Sequence, residues 1–250
     1  MHRFFLTGGP FHIGQRVDIT LISKQLTSVL RAQPGDEITL LDGEGNASTA
    51  SITSLSKNNS TARILEQYVV QTEPKTALTL YQCTLKADKF EWVLQKGTEL
   101  GVTHFVPIIS TRSIVRPASK VLQKYERWRR ILQEAAEQSG RGRLPTLGEP
   151  LLFNAMLDIA TGLKLLPWEE KSQEKNAALG DMIHDNMKRT AERDGVSLLI
   201  GSEGGFEANE IDAAHERGWQ IVSLGPRILR AETAALAATA IVLDQLDEMG

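Results

Sequence analysis

The chain has 250 residues, of which 41% are hydrophobic and 24% charged, and its formal net charge is -3. These values are typical of a globular protein and exclude a disordered or fibrous chain. No run approaches the roughly 20 apolar residues that span a bilayer, and the first residues lack the apolar segment and cleavage site of a secretory signal. We therefore expect a cytoplasmic protein with no membrane partner. A single cysteine, Cys83, excludes an internal disulfide and is expected to be a buried, inert thiol because its neighbours are apolar.

The N-terminal part, about Arg3–Val70, consists of short apolar runs separated by turn residues, which predicts a small β-domain. Asp42-Gly43 predicts a hairpin turn between two of these runs. One short helix is expected at about Ser23–Leu30. The polar segment 71–75 precedes a strongly apolar run. We therefore place a boundary there, between a domain of residues 1–72 and a domain of residues 76–250.

Beyond this boundary, apolar runs alternate with helical patterns, which predicts an α/β domain with a mostly parallel sheet. Helices are expected over Lys89–Leu100, opened by a capping box of Asp88 and Glu91, and over Lys120–Ser139. The predicted strands are LTLYQCTL, HFVPII, LKLLP, VSLLIG and WQIVSLG.

Basic residues concentrate in the middle of the chain, where residues 77–150 contain 12 lysines and arginines against 7 acidic residues. Clustered cations of this kind favour contact with the phosphates of a nucleic acid. A solvated helix face would give the same pattern, so charge alone does not decide between the two.

Two glycine-containing loops follow predicted strands near the C-terminus, at Val196–Phe206 and Ser223–Ala234. In an open parallel sheet, ligands bind beyond the carboxyl ends of the strands. Glycines there let backbone amides approach a ligand closely, although glycines after strands are often only turn formers. The recurrence of a charged side chain among the glycines of both loops favours one shared pocket.

Several standard catalytic and cofactor motifs do not occur in the sequence. It contains no P-loop, no GxGxxG after a strand and no G-x-S-x-G elbow. We expect no metal, because no histidine has metal-ligand spacing with another histidine or with the cysteine. The histidines are His2, His12, His104, His184 and His215.

Several motifs in chain order resemble the RsmE family of SPOUT-class methyltransferases. These motifs are RFF at Arg3, VLRAQPGDEITLLDGEG from Val29, KFEWVLQKGTELGV at Lys89–Val102, AAEQSGRGRLP at Ala135–Pro145, IGSEGGF and LGPRILRAETA. They cover nearly the whole chain. The chain departs from the family's usual residues at Gln25, Ser202 and Ala231, where histidine, proline and threonine are usual.

The resemblance implies a fold, a reaction and a cofactor. The fold would be α/β, with an N-terminal PUA-like RNA-binding β-barrel and a C-terminal SPOUT domain that has a mostly parallel sheet and a trefoil knot. The reaction would be methylation, by S-adenosyl-L-methionine, of the ring imide nitrogen of a specific uridine in 16S ribosomal RNA of the small subunit, by a homodimer. The residues implied to hold the cofactor are Leu166, Pro167, Gly201, Glu203, Gly204, Leu224, Gly225, Ile228, Leu229, Thr233 and Ala234.

For this reaction we expect Arg230 to orient the uridine and to stabilise its developing imide anion. Glu232 is the candidate proton acceptor, with a helix-capping role as the alternative. Arg141 and Arg143 are the strongest candidates for RNA contact, because a basic glycine-rich segment has few structural reasons to exist. The full set of candidate RNA-binding residues is Arg3, Arg31, Lys86, Lys96, Arg112, Arg116, Arg141 and Arg143.

Two other functions are compatible with the same motifs. A SPOUT methyltransferase could act on another RNA nucleotide. A non-catalytic ribosome-assembly factor could keep the RNA surface without the cofactor. Intact glycines in both loops disfavour the second.

Overall fold

A computed structural model of the chain describes residues 1–114, 117–169, 177–184 and 188–249. The chain forms two compact units: unit 1 is Met1–Glu73 with Gln133–Leu144, and unit 2 is Pro74–Leu132 with Pro145–Gly250. The sequence-based boundary assigns residues 133–144 to the C-terminal domain, whereas in the structure they pack with the N-terminal residues. The Phe5 amide, for example, donates a 3.0 Å hydrogen bond to the Glu137 carboxylate.

Unit 1 is built on a five-stranded sheet in the order β1-β3-β4-β5-β2. Strand β1 is parallel to β3, and the other neighbours are antiparallel. The core beneath it includes Phe4, Ile19, Leu26 and Leu40, all buried. The strands are β1 Arg3–Phe5, β2 Arg16–Asp18, β3 Glu37–Leu41, β4 Asn46–Ser54 and β5 Thr61–Val69.

Two local predictions for unit 1 have different outcomes. The hairpin is confirmed: Asp42 follows β3, and its carboxylate accepts the backbone N–H groups of Glu44 and Asn46, at 2.8 and 3.0 Å. The short helix expected at about Ser23–Leu30 is present, but most of it is a π-helix, at Gln25–Val29, where the Leu30 amide bonds the Gln25 carbonyl. A 3-10 turn at Thr20–Ile22 precedes it.

Unit 2 contains a seven-stranded sheet, and the prediction of a parallel α/β domain is confirmed. The order is β12-β10-β11-β6-β7-β8, with β9 also paired to β7, and every recorded pair is parallel. The strands are β6 Leu78–Cys83, β7 His104–Ile109, β8 Thr146–Leu147, β9 Leu151–Leu152, β10 Leu163–Pro167, β11 Val196–Ile200 and β12 Gln220–Val222.

The helices of unit 2 follow its strands, and within the described residues none is long and apolar enough to cross a membrane. They are α1 Ala87–Leu100, α2 Ala118–Leu122, α3 Tyr125–Ser139, α4 Phe153–Ile159, α5 Leu179–Ile183, α6 Lys188–Asp194, α7 Ala208–Glu216 and α8 Ala231–Gln245. The end of α3 belongs to unit 1.

Two predicted helical features differ from the structure. Helix α1 begins after Lys86 without a side-chain cap, and Glu91, expected in a capping box, instead accepts hydrogen bonds from Arg127 at 2.7 Å. The single helix expected over Lys120–Ser139 is two helices, α2 and α3. The chain bends between them because the Lys124 amide bonds the Val121 carbonyl in a tighter i to i−3 turn.

The parallel sheet of unit 2 is covered on both faces, as its uniformly apolar strands predict. In β11 all five residues are buried; Leu198 packs into one core and Leu199 into the other. Since parallel strands end at the same edge, the carboxyl ends of β10, β11 and β12 are brought together there.

Candidate functional site

A cavity of about 560 Å³ opens at the carboxyl ends of β10, β11 and β12. Three loops supply most of its wall, at residues 167–169, 200–206 and 223–231. Lys89, at the start of α1, and Arg112, after β7, complete it together with Ala234. The pocket therefore lies where ligands bind in parallel sheets, beyond the strand ends.

The loop after β11 contains glycines at positions that leave no room for a side chain. A Cβ on Gly201 would lie 3.2 Å from the Phe206 ring, and a Cβ on Gly204 would lie 3.0 Å from the Cβ of Arg112. Gly205 has a φ of +69°, and its amide bonds the Ser202 carbonyl at 2.9 Å. The backbone of this loop is thus exposed to the pocket in a fixed turn.

Arg112 holds this loop in place. Its guanidinium donates two hydrogen bonds to the Glu207 carboxylate, at 2.8 and 3.1 Å, and one to the Gly204 carbonyl, at 2.9 Å. The hydrogen bond from Arg112 also lowers the pKa of Glu207. Glu207 in turn forms a capping box with Glu210 at the start of α7. Because these contacts join the loop to a helix start, Arg112 fixes one wall of the pocket.

The loop after β12 forms the opposite wall. Gly225 has a φ of +103° and donates its amide to the Ser223 hydroxyl at 3.1 Å, which makes the turn. Ile228 is 85% exposed. As predicted from the sequence, α8 opens directly after this loop, with Arg230 at its N-cap position.

A cluster of charged side chains lies at one end of the pocket: Lys89, Glu203 and Glu232. The Lys89 ammonium is 3.5 Å from Oε1 of Glu232 and 3.8 Å from Oε1 of Glu203. The Lys86 amide donates a hydrogen bond to the same Glu203 oxygen at 3.2 Å. The Oε2 atoms of both glutamates are buried and have no hydrogen-bond partner among the residues that the structure describes. We call these three residues the charged corner.

Comparison with known proteins identifies the family to which the chain belongs. The model of the RNA methyltransferase domain matches residues 71–243, and the model of the RNA methyltransferase PUA domain matches residues 26–65. The chain belongs to the family of ribosomal RNA small subunit methyltransferase E.

Curated relatives support this membership across the whole chain. The ribosomal RNA small subunit methyltransferase E of Synechocystis is 37% identical over 225 residues, which cover 89% of this chain and 71% of the relative. The enzyme of the same name from Bacillus subtilis is 30% identical over 255 residues, covering 99% and 98%.

Solved structures agree with the fold. The methyltransferase E of Neisseria gonorrhoeae, bound to S-adenosyl methionine, has a TM-score of 0.85 and 38% identity, and the match covers 98% of this chain and 97% of that one. A putative methyltransferase of Legionella pneumophila, also in complex with this cofactor, has a TM-score of 0.85 and 30% identity, with 97% and 96% covered. The predicted fold class, a PUA-like N-terminal domain followed by a SPOUT-class domain with a parallel sheet, is confirmed. The trefoil knot stays a prediction.

The pocket contains most of the residues implied to hold the cofactor. Two are not among the lining residues. Leu166 is a fully buried residue of β10, and Thr233 is exposed in the first turn of α8. Those that line the pocket are Pro167, Gly201, Glu203, Gly204, Leu224, Gly225, Ile228, Leu229 and Ala234.

The two candidate catalytic residues, Arg230 and Glu232, are placed differently. Arg230 lines the pocket. Glu232 lies beside it, with its side chain 14% exposed and one oxygen facing Lys89. The alternative, structural role of Glu232 stays open, because it lies in the first turn of α8, where the helix dipole favours an acidic side chain.

Some pocket residues are given no role in the pocket by the sequence analysis, although Lys89, Phe206 and Arg227 lie within its motifs. Lys89 follows a polar turn at a helix start, and the only local signal is a cation placed where the helix dipole disfavours it. Arg112 stands out in sequence only as part of the basic middle segment, which suggests RNA contact, whereas its guanidinium is engaged by Glu207 and Gly204. Trp168, Phe206 and Arg227 also line the pocket.

The structure corrects the interpretation of Arg141. Its side chain is only 4% exposed and pairs with the Glu73 carboxylate at 2.9 Å. Arg141 therefore has a structural role in the glycine-rich segment, as the buried partner of Glu73. Lys96 is half-buried and forms an ion pair with Glu99 at 2.7 Å. Arg116 lies outside the described residues. The candidates that are exposed are Arg3, Arg31, Lys86, Arg112 and Arg143.

Neither metal nor thiol chemistry is indicated in the part of the chain that the structure describes. There, no group of three or more histidine, cysteine, aspartate or glutamate side chains is placed to hold a metal ion. Cys83 is fully buried, and burial raises the pKa of its thiol to about 12. It is therefore protonated at neutral pH, as expected of an inert thiol.

Proposed function

We propose that this chain binds S-adenosylmethionine in the pocket at the ends of β10, β11 and β12 and methylates the imide nitrogen of a uridine in 16S ribosomal RNA. The observation that carries the proposal is the position of this pocket within a chain of the methyltransferase E family. Two related structures, 38% and 30% identical to this chain, hold the same cofactor.

The residues present fit this cofactor. The cavity volume of about 560 Å³ lies in the range of pockets that enclose a ligand of this size. Gly201 and Gly204 bring backbone groups to the wall, which suits the hydrogen-bonding edge of an adenine and a ribose. Leu224 and Leu229, in the opposite loop, offer apolar contact for a base.

The bound cofactor supplies a methyl group on a positively charged sulfur. The chain must then hold a uridine in line with that group, which can provide roughly 7 to 11 kcal/mol of the barrier in the best cases. Arg230 is our candidate for orienting the uridine, since its guanidinium lines the pocket and can stabilise negative charge on the imide.

For the proton on the imide nitrogen, Glu232 remains the proposed acceptor. Glu232 follows the pocket-lining Arg230 and Ala231 in the chain, and within the described residues its Oε2 accepts no hydrogen bond that would compete with a proton. In the balanced step the N–H bond breaks and the proton passes to this carboxylate. The cofactor, when bound, would supply the methyl carbon for the new N–C bond and would retain the electron pair of the broken carbon–sulfur bond on its sulfur.

We further propose that Arg3, Arg31 and Arg143 of unit 1 contact RNA phosphates, because all three are exposed and phosphate contacts supply most of the affinity for RNA. Lys86 is a fourth candidate because it is exposed next to the charged corner. We also propose that the protein is a cytoplasmic homodimer.

The direct test compares ribosomal RNA from cells with and without this protein by mass mapping. We expect one N3-methyluridine of 16S RNA to disappear and to return with the wild-type gene. Arg230→Ala should bind S-adenosylmethionine normally in calorimetry but restore little or no methylation. Loss of a different modified nucleotide would show another RNA substrate. No change in RNA, together with no saturable binding heat, would indicate a non-catalytic assembly factor.

A further inference from the structure

We propose that the charged corner, Lys89 with Glu203 and Glu232, makes the pocket selective for the cationic methyl donor over its neutral spent product. The inference rests on the proposed function. It adds a specificity role for Lys89, to which the sequence analysis assigns no role, and an electrostatic role for the two glutamates.

The first argument is the charge count. Two carboxylates share one ammonium, at 3.5 and 3.8 Å. Within the described residues, the remaining contact of Glu203 is a hydrogen bond from the Lys86 backbone amide, which carries no formal charge. The corner therefore has a formal charge of minus one, and a cation in the pocket would balance it.

The second argument is shielding from water. The side chains of Glu203 and Glu232 are only 20% and 14% exposed. One oxygen of each is buried without a hydrogen-bond partner. Charges that water reaches poorly are screened less, so their field extends further into the neighbouring cavity than that of surface charges.

The third argument is that the arrangement contributes little to the stability of the fold. Lys89 stands in the first turn of α1, where the helix dipole disfavours a cation. Burying two carboxylates beside a single ammonium costs free energy of desolvation. Arg227 and Arg230 line the same pocket, yet both are exposed and neither forms a recorded ion pair with the corner.

The ligand chemistry offers a clean comparison. S-adenosylmethionine carries a positive sulfonium, whereas S-adenosylhomocysteine has a neutral sulfur at the same position and is otherwise alike apart from the lost methyl group. The ratio of their dissociation constants, product over donor, contains the contributions of the charge and of the methyl group. A change in this ratio between the wild type and a charge variant of equal size reports the contribution of the charge. Sinefungin, which has a protonated amine near this position, should behave as the donor does.

The experiment measures this ratio by calorimetry for the wild type and for charge variants of equal size. Glu203→Gln and Glu232→Gln should each lower the ratio, and together by about tenfold, the order expected for a poorly screened unit charge a few ångströms away. Lys89→Gln should raise it, because the corner then carries two negative charges. The matched control is Glu99→Gln, outside the pocket, which should leave the ratio unchanged.

The opposite signs for glutamate and lysine variants distinguish charge selectivity from simple damage to the pocket, which would weaken donor and product alike. Thermal unfolding checks that each variant folds. The ratio of the dissociation constants of product and sinefungin, measured on the wild type, provides a second test that needs no mutation. An unchanged ratio in all three variants, with the donor still bound, would overturn this inference alone. Failure of the wild type to bind the donor would instead overturn the proposed function, and this inference with it.

Discussion

Replacing Arg141 with alanine should destabilise unit 1 by about 3 kcal/mol, although this arginine looks in sequence like a surface contact for RNA. Its side chain is 4% exposed and its guanidinium lies 2.9 Å from Oε2 of Glu73. Removing one partner of a buried ion pair typically costs roughly 3 to 5 kcal/mol, because the other charge stays buried without compensation.

The lower end of that range applies because Glu73 would keep two hydrogen bonds from backbone amides and some contact with water. Its Oε1 still accepts the backbone amides of Gly142 and Arg143, at 2.8 and 3.0 Å, and its side chain is 16% exposed. Hydrogen exchange of those two amides reports the local free energy of opening directly. Urea unfolding followed by circular dichroism provides the global value.

The neighbouring Arg143 is the matched control, since it is an exposed arginine in the same segment. Arg143→Ala should change stability by no more than about 0.5 kcal/mol, as surface substitutions usually do, while lowering RNA affinity and its salt dependence. A loss below about 1 kcal/mol for Arg141→Ala, or an equal loss for both variants, would refute the structural role of the Glu73 pair.

Three further predictions concern unit 2. Arg112→Ala should weaken S-adenosylmethionine binding by about tenfold in calorimetry but change the melting temperature little, because its ion pair is half-exposed; unchanged affinity would show that the loop holds its shape without it. Cys83 should resist a disulfide reagent at pH 8 and react after denaturation, since burial raises its pKa to about 12; fast reaction of the folded protein would contradict this burial. Gly162→Ala should cost more than about 3 kcal/mol, because its φ is +69° and a Cβ would overlap backbone carbonyl oxygens. Gly218→Ala, with a φ of +81° and open space around it, should cost only about 1 kcal/mol, and equal losses would exclude the overlap as the cause.

Much of the fold follows from patterns within short stretches of chain. Apolar strands such as Val196–Ile200, alternating with helices, predict a parallel sheet covered on both faces, and the structure has one. The hairpin at Asp42 and the start of α8 after Arg230 follow from local turn and capping chemistry. The short helix expected at Ser23–Leu30 is present, but its π-helical hydrogen bonding is not predictable from so short a segment.

The sequence by itself determines where the pocket is, because glycine-containing loops at strand ends converge in any parallel sheet. Only the tertiary structure decides which charges meet. Lys89 lies between Glu203 and Glu232, and Arg141 is buried against Glu73, although each pair is far apart along the chain. Local patterns set backbone shape and burial, whereas the partner of a charged side chain depends on which distant segments the packed core brings within a few ångströms.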